Sequence, residues 1–543
     1  MQGVGIDSGS EPLSAQRRLS LLVAASGHLA GSLDLRAMAR GLAASLVPHL
    51  ADQAEVDLVE SLFHLDTPAD PRSDVLCRVA LVDRGAPDGH GKDEWVAYPA
   101  GSPAARALTS GRTQLAPQAA GEAREMYVPL KARGRVLGLV GLRRLGGEPY
   151  LRGDLSLVEE IASRAALAVD NVRLYDEARV TSITLQRSLL PTVQPRLTGV
   201  TTAHRYLPGL RDVGVGGDWF DVIPLSCGRV GLVIGDVMGR GLRAAAAMGQ
   251  LRTAVRTLAV LDHPPEDLLR HLDDVAQGTD VVQLATCGYA VFDPVDRLLT
   301  YATAGHPPPM LRSPDGSTTV LPQPSGAPLG VGGVPFESAT VAVPDGARLL
   351  LYTDGLVESP GEDIDRGLTD LAAAFGVDAG PLESLCDTLL AATGRGQGYH
   401  DDVALLVAEL SGLPADRTAT WRLTGGGEQV AHARAHVRGW MLGWEVAALT
   451  EAATLLASEL VTNALRHARM PILLQGLLLD EIVTLAVHDC EIALPRLRRS
   501  VVSDEGGRGL QLVSQVANRW GARPTTEGKV VWCDLLRPRG PRR

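Results

Sequence analysis

GGDWFD, Gly216 to Asp221, sets two glycines and two carboxylates around a pair of aromatic rings. In a chain with only 4% aromatic residues, a solvated acidic face would not usually place its acids beside Trp219 and Phe220. Other acids of the region share a pattern with Asp218. RVGLVIGDVMGRGL (229–242) puts Asp236 after an apolar run and before a glycine-rich turn into a helix. ARLLLYTDGLVES (347–359) puts Asp354 after a second run, and HDDVALLVAEL (400–410) puts Asp401 and Asp402 before a third. Short runs rich in Val, Leu and Ile read as strands buried on both faces. Carboxylates at the ends of such strands can converge on one edge of a sheet sandwich.

Asp218, Asp236, Asp354 and Asp401 with no His or Cys partner make an all-oxygen donor set, which suits Mg²⁺ or Mn²⁺ and not zinc. Each Asp-Gly pair taken singly also reads as turn chemistry; four in this order point to a site. The motifs GGDWFD, GDVMGRGL, YTDGLVE and HDDVALL, with LQRSLLP (185–191) ahead of them, resemble the SpoIIE/RsbU branch of the metal-dependent, protein phosphatase 2C-like serine/threonine phosphatases. The resemblance covers about 180–412 and implies an α-β-β-α sandwich holding two metal ions. It assigns Asp218, Asp236, the Val237 carbonyl, Asp354 and Asp401 as ligands, with Asp402 at the metal site and Asp221 orienting the ligands. It further implies hydrolysis by a water activated between the two ions, so that no nucleophilic side chain is required. His306 in YATAGHPPPML is either a general acid or a turn histidine before Pro307. Cys490 and Arg496 have the spacing of a cysteine-dependent phosphatase, but Pro495 lacks the N–H such a loop needs and Glu491 would repel an anion.

Residues 413–536 carry a second constellation. ASELVTNALRHA (457–468) is helical, with Glu459 and Asn463 on one face. VHDCEIALPRL follows a strand with Asp489, and DEGGRGLQLVSQVANRWG sets Gly506, Gly507 and Gly509 before a helix. Such a loop cradles phosphates or simply caps the helix. In order, the three resemble the GHKL ATPase fold in its anti-sigma-factor serine-kinase (RsbW-like) branch. That resemblance implies Asn463 on the Mg²⁺ of ATP, Glu459 as base, Asp489 reading the adenine amine, and Gly507 and Gly509 at the triphosphate. The family's Asp-x-Gly-x-Gly stands here as Asp489-Cys490-Glu491-Ile492-Ala493, without either glycine. A domain that binds its partner without phosphorylating it fits that departure.

Upstream, MYVPLKARGRVLGLVGLRR (126–144) reads as a hairpin turning at Arg133 and Gly134. With its place in the chain it resembles a GAF sensory domain over 18–152, taking an unidentified small-molecule signal. Residues 153–192 read as a helical linker, after a disordered 1–17. Its Val158, Ile161, Ala165, Ala168, Val172 and Tyr175 form either a coiled-coil seam for a homodimer or one face packed on the helix's own domain. The fold class expected is multidomain α+β: a GAF-like α/β sensor, the α-β-β-α phosphatase at 193–412, a GHKL α/β sandwich at 413–536 and a basic tail at 537–543.

Composition supports these readings by exclusion. A net charge of −11 over 543 residues argues against nucleic acid as the partner. The six cysteines contain no CxxC pair, and no apolar run or signal-peptide pattern points to a membrane or to secretion, so the cytoplasm is expected. None of the three lysines stands in a P-loop. The function expected is removal of phosphate from phosphoserine or phosphothreonine on a STAS-type anti-sigma-factor antagonist. The alternative is a scaffold or anti-sigma factor that sequesters its target, a sigma factor included, through the last domain.

Overall fold

The computed structural model describes residues 15–29, 34–63, 75–85, 94–117, 123–146, 149–189, 197–209, 216–279, 282–358, 361, 363–377, 380–393, 399–424, 426–468, 471–495 and 508–537. The chain divides into two compact units, 1–181 and 182–543.

The first unit contains helices α1 (Ala15–Leu29), α2 (Leu35–Leu46) and α3 (Pro103–Ser110). Its strands are β1 (Gln53–Val59), β2 (Val75–Asp83), β3 (Glu94–Ala97), β4 (Gln114–Leu115), β5 (Arg124–Ala132) and β6 (Arg135–Arg144). They form one sheet in the order β3-β2-β1-β6-β5-β4. The β5–β6 hairpin turns at Arg133 and Gly134, whose φ angles of 47° and 83° give the left-handed pair a tight hairpin requires. Helix α4 (Arg152–Leu189) follows. Val158, Ile161, Ala165 and Val172, the candidate seam, are buried in this unit's own core with Met38, Leu46, Val56 and Leu130. These positions are therefore spent within the domain and unavailable to a partner helix.

The second unit begins with β7 (Val200–Leu207), β8 (Trp219–Pro224) and β9 (Val230–Val237), then α5 (Leu242–Val260) and α6 (Pro265–Gln277). Strands β10 (Ala285–Asp293), β11 (Leu298–Ala304), β12 (Met310–Arg312), β13 (Thr318–Val320), β14 (Ala339–Ala342) and β15 (Ala347–Tyr352) follow, with α7 (Ile364–Gly376), α8 (Leu382–Thr393) and β16 (Val403–Leu410). Two five-stranded sheets result, β14-β11-β10-β9-β8 and β13-β12-β15-β16-β7. Alternation builds the layers. On β9, Val230, Leu232 and Ile234 point into the core between the sheets with Phe220, Leu349 and Leu406. Val233 and Val237 point the other way, into a layer with Leu251 and Val255 of α5 and Leu268 and Leu272 of α6. On the far sheet Leu350, Leu405 and Val407 meet Leu371 and Phe375 of α7 and Leu385 and Leu389 of α8. Helices thus cover both outer faces of a sheet sandwich.

The same unit closes with β17 (Thr418–Leu423), α9 (Gln429–Gly443), α10 (Thr450–His467), β18 (Ile472–Leu478), β19 (Ile482–Asp489), α11 (Arg508–Val516), β20 (Arg519–Thr525) and β21 (Gly528–Leu536). The five strands pair in the order β17-β18-β19-β21-β20. One sheet face packs on α9 and α10 through Leu474, Leu485 and Cys533 against Val437, Leu456 and Leu460. From the other, Leu477, Leu479, Ala486, Val530 and Trp532 bury together with Cys227, Val295 and Leu413 of the preceding sandwich. Among the described residues no helix is long and apolar enough to cross a membrane.

Candidate active site

The antiparallel register of β8 and β9 pairs Trp219 with Gly235 and Phe220 with Ile234. One step further, just outside β8, Asp218 stands opposite Asp236. Both take the parity of the inter-sheet residues, so two carboxylates meet at the end of the sandwich. The opening motif now reads residue by residue. Trp219 goes to the α5 side and Phe220 to the space between the sheets. A Cβ at Gly217 would overlap the Val237 carbonyl oxygen, and one at Gly216 would overlap Asp402 Oδ2. The two glycines let the backbone pass at contact distance from the acids.

The second sheet supplies the remaining acids. Asp354 follows β15, and Asp401 and Asp402 precede its neighbour β16. Asp218 is 2% exposed; burial first, and then the neighbouring Asp236, raise its carboxyl well above the ordinary range. Burial also pushes Asp236 up to about 6, reinforced by the charges of Asp354, Asp401 and Asp402 and opposed by its hydrogen bond with Asp218. Asp354 is raised by burial and by Glu358 and Asp401. Like charges gathered out of water in this way call for a cation.

The donors fit a hydrated divalent ion. Among the described residues no three acidic, histidine or cysteine side chains close around one point. Mg²⁺ commonly keeps several waters and takes one or two carboxylates, so a closed protein cage is not needed. Asp218 and Asp236, with the Val237 carbonyl beside Gly217, give such a partial shell. Asp402 lies at its margin, its Oδ1 accepting from the Gly209 N–H at 2.9 Å. Asp401 is half exposed and paired with Arg240 at 3.0 Å.

One sequence-derived role changes, that of Asp221, and the alternative left open at His306 is decided for a structural ring. Asp221 points to the α5 side and accepts from Arg252 Nε at 3.0 Å and Arg256 Nη1 at 3.2 Å. It fastens helix to sheet and orients no metal ligand, because β8 alternation sends it away from Asp218. His306 is 2% exposed, with Nδ1 2.8 Å from Thr286 Oγ1 and Nε2 3.0 Å from the Tyr352 carbonyl. Burial pushes its pKa down to about 3, so the ring is a neutral cross-link and no general acid.

One residue was hidden inside a quoted motif. Thr353, fully buried, donates from Oγ1 to Asp218 Oδ2 at 2.7 Å and accepts from the Ala404 N–H at 2.9 Å. It ties the second sheet to a carboxylate of the first. The only signal in the sequence was its place before Asp354.

In the last domain, Glu459 and Asn463 on α10 lie against Gly509 at the start of α11. A Cβ at Gly509 would sit 2.6 Å from Glu459 Oε2 and 3.6 Å from Asn463 Nδ2. Among the described residues that amide nitrogen is buried without a hydrogen-bond partner. Gly507 and Arg496 lie outside the described residues. Asp489 is held from within the chain. Its Oδ1 accepts from Lys529 Nζ at 2.9 Å and from the Glu491 N–H at 2.9 Å, and the Asp489–Lys529 pair is buried. Lys529 also donates to the Glu491 carbonyl at 3.1 Å. The carboxylate expected to read the base thus takes two donors from within the chain on its Oδ1.

Residues 226–411 match the family described as stage II sporulation protein E (SpoIIE), and residues 71–171 match the GAF domain. Phosphoserine phosphatase RsbP of Bacillus subtilis is 28% identical over 148 residues, which are 26% of this chain and 36% of that protein. Phosphoserine phosphatase RsbU of the same organism is 25% identical over 176 residues, 32% of this chain and 51% of that one. The chain thus spans between a third and about half of the length of these curated relatives. A solved structure of the RsbU and RsbW domains of a Mycobacterium tuberculosis protein is 28% identical, covering 63% of this chain and 97% of that one at a TM-score of 0.39. The chain accordingly carries a SpoIIE phosphatase-family domain over 226–411 and a GAF domain before it.

Proposed function

We propose that the chain is a signal-regulated protein phosphatase that removes phosphate from phosphoserine or phosphothreonine on a small regulatory protein, an anti-sigma-factor antagonist of the STAS type. One observation carries this reading: Asp218 and Asp236 meet, buried and hydrogen-bonded to each other, where Asp354, Asp401 and Asp402 arrive from the second sheet. The names of the relatives, both phosphoserine phosphatases, support it.

Mn²⁺ or Mg²⁺ held by Asp218, Asp236, the Val237 carbonyl, Asp354 and Asp401 would supply a water acidic enough to ionise near neutral pH, and positive charge against the phosphate. The chain's own residues prepare the place. Thr353 fixes the rotamer of Asp218, and Gly216 and Gly217 keep Cβ atoms out of the acid cluster. The SpoIIE domain hydrolyses, the GAF domain takes the input signal, and the last domain holds the protein partner. The test is phosphate release from a phosphoserine peptide by the full chain under Mn²⁺, Mg²⁺ or chelator. Metal-dependent turnover lost in Asp236→Ala and Asp354→Ala supports the reading; turnover that survives chelation and both substitutions sinks it.

A second reading concerns residues 418–536 alone: a partner-binding module that works without ATP. The Lys529–Asp489 pair favours it over a serine kinase. Titrating a labelled ATP analogue into the full chain should give no saturation. Saturable binding abolished by Asp489→Asn would restore the kinase.

A further inference from the structure

A phosphomonoester dianion approaching this site meets Asp218, Asp236, Asp354, Asp401 and Asp402. Metal charge offsets part of that field, and a basic side chain from the chain itself would offset more. Arg252 and Arg256 are committed to buried Asp221 on the helix side. Arg240 stands on the site's own loop, four residues beyond Asp236, with its Nη2 3.0 Å from Asp401 Oδ2.

Resting on the phosphatase reading above, we propose that Arg240 is the residue that binds the substrate's phosphate, and that Asp401 holds it in reserve until a divalent ion takes Asp401. The pair is built to exchange. Its side chains are 43% and 56% exposed, and ion pairs this exposed hold weakly. The loop is built to move its guanidinium. Gly239 and Gly241, on either side of Arg240, have φ angles of 101° and 84°, and a Cβ at either would meet nothing within 4 Å. Gly241 also opens the 19-residue helix α5 without a side-chain cap, so the first N–H groups of α5 add partial positive charge next to Arg240. A guanidinium fork matches two phosphoryl oxygens, where an ammonium offers a point charge. Asp401 therefore serves two cations in turn: Arg240 without metal, and then the metal, which releases Arg240 to the phosphate.

This exchange predicts opposite effects from one substitution. Wild type, Arg240→Ala and Arg240→Lys, all as full chains, would be titrated with Mn²⁺ by calorimetry in the absence of substrate. Inorganic phosphate binding would then be measured at saturating Mn²⁺. In Arg240→Ala, Mn²⁺ should bind about threefold tighter, because its competitor for Asp401 is gone. Phosphate should bind about tenfold weaker or worse, and KM for an aryl phosphate should rise in step. Arg240→Lys should keep the wild-type Mn²⁺ affinity and recover part of the phosphate affinity. Either constant unchanged in Arg240→Ala, or both moving in one direction, overturns the proposal. A wild type without metal-dependent hydrolysis would remove the phosphatase reading, while the two binding titrations would still decide the role of Arg240.

Discussion

The Thr353 hydroxyl has one proton and two acceptors, Asp218 Oδ2 at 2.7 Å and the Ala404 carbonyl at 3.3 Å, of which the Asp218 oxygen is the nearer. With the Ala404 N–H donating to its oxygen, its own proton goes to Asp218, and the carboxylate loses a rotational choice. Thr353→Val keeps the shape, removes the bond and leaves a buried N–H unpaired. Outer partners of metal-ligating groups typically matter about tenfold or more in metal affinity. Mn²⁺ titration should therefore show about tenfold weaker binding in Thr353→Val and nearly wild-type binding in Thr353→Ser. His306 gives a pH prediction. Its folded pKa of about 3 lies below the unfolded value near 6.5, so the unfolded chain binds the extra proton first. Its contribution is fully present above about pH 6.5 and is lost as pH falls toward about 3. In chelator, His306→Gln should be less stable than wild type at pH 7 yet lose less stability on acidification, read from urea midpoints at several pH values. Equal acid sensitivity in the two proteins would contradict a buried neutral ring.

Among the elements, β8 shows what a sequence can and cannot deliver. Its six residues send alternate side chains to opposite layers, and Asp221 shares Trp219's side, not Asp218's. Asp221→Ala should cost about 2–3 kcal/mol of stability by thermal or urea unfolding, with Mn²⁺ affinity unchanged; a drop in affinity would return Asp221 to the metal site. Motif spacing had placed both acids at one site because spacing along a chain does not report which face a residue takes. Period-two alternation does, and it was available in GGDWFD. The gathering of Asp218, Asp236, Asp354, Asp401 and Asp402, the hairpin at Arg133–Gly134 and the layered sandwich were legible because strand ends and turns are local signals. The fate of the α4 seam was not. A row of apolar residues at helical spacing says that something covers it, not whether that is a second chain or the helix's own sheet. Val172→Asp should therefore lower the unfolding midpoint of the first unit, measured by limited proteolysis of 1–181 within the full chain. Wild-type protease resistance with altered oligomeric mass would favour the dimer seam.

At the scale of the whole molecule, the sequence places a domain boundary between 412 and 413, and the structure shows that the boundary is no free joint. Leu479 packs against Gly228 in the short loop before β9, and the Asp480 N–H donates to Thr198 Oγ1 at 3.2 Å. Nothing in the sequence distinguished Leu477 and Leu479 from ordinary strand residues, since a sheet face covered by a helix and one covered by a neighbouring domain use the same side chains. Lys529 was equally silent: its value lies in the partner found across the strand pair, Asp489. Leu479→Asp would place a carboxylate in this joint. The expected outcome is a lower melting temperature for the second unit, with the first unit unaffected in the same scan.

The loop at Cys227–Gly228 that receives Leu479 runs straight into β9, and β9 ends at the acids Asp236 and Asp218 face across. That single strand restricts how the protein can be rearranged by recombination. A foreign module spliced in after Leu413 inherits an apolar footprint of Cys227, Val295 and Leu413, sized for the sheet it replaces. Unless the newcomer brings its own row of matching side chains, the footprint is left wet at the root of the very strand that presents Asp236. Lineages exchanging C-terminal modules would have to exchange both sides of the joint together.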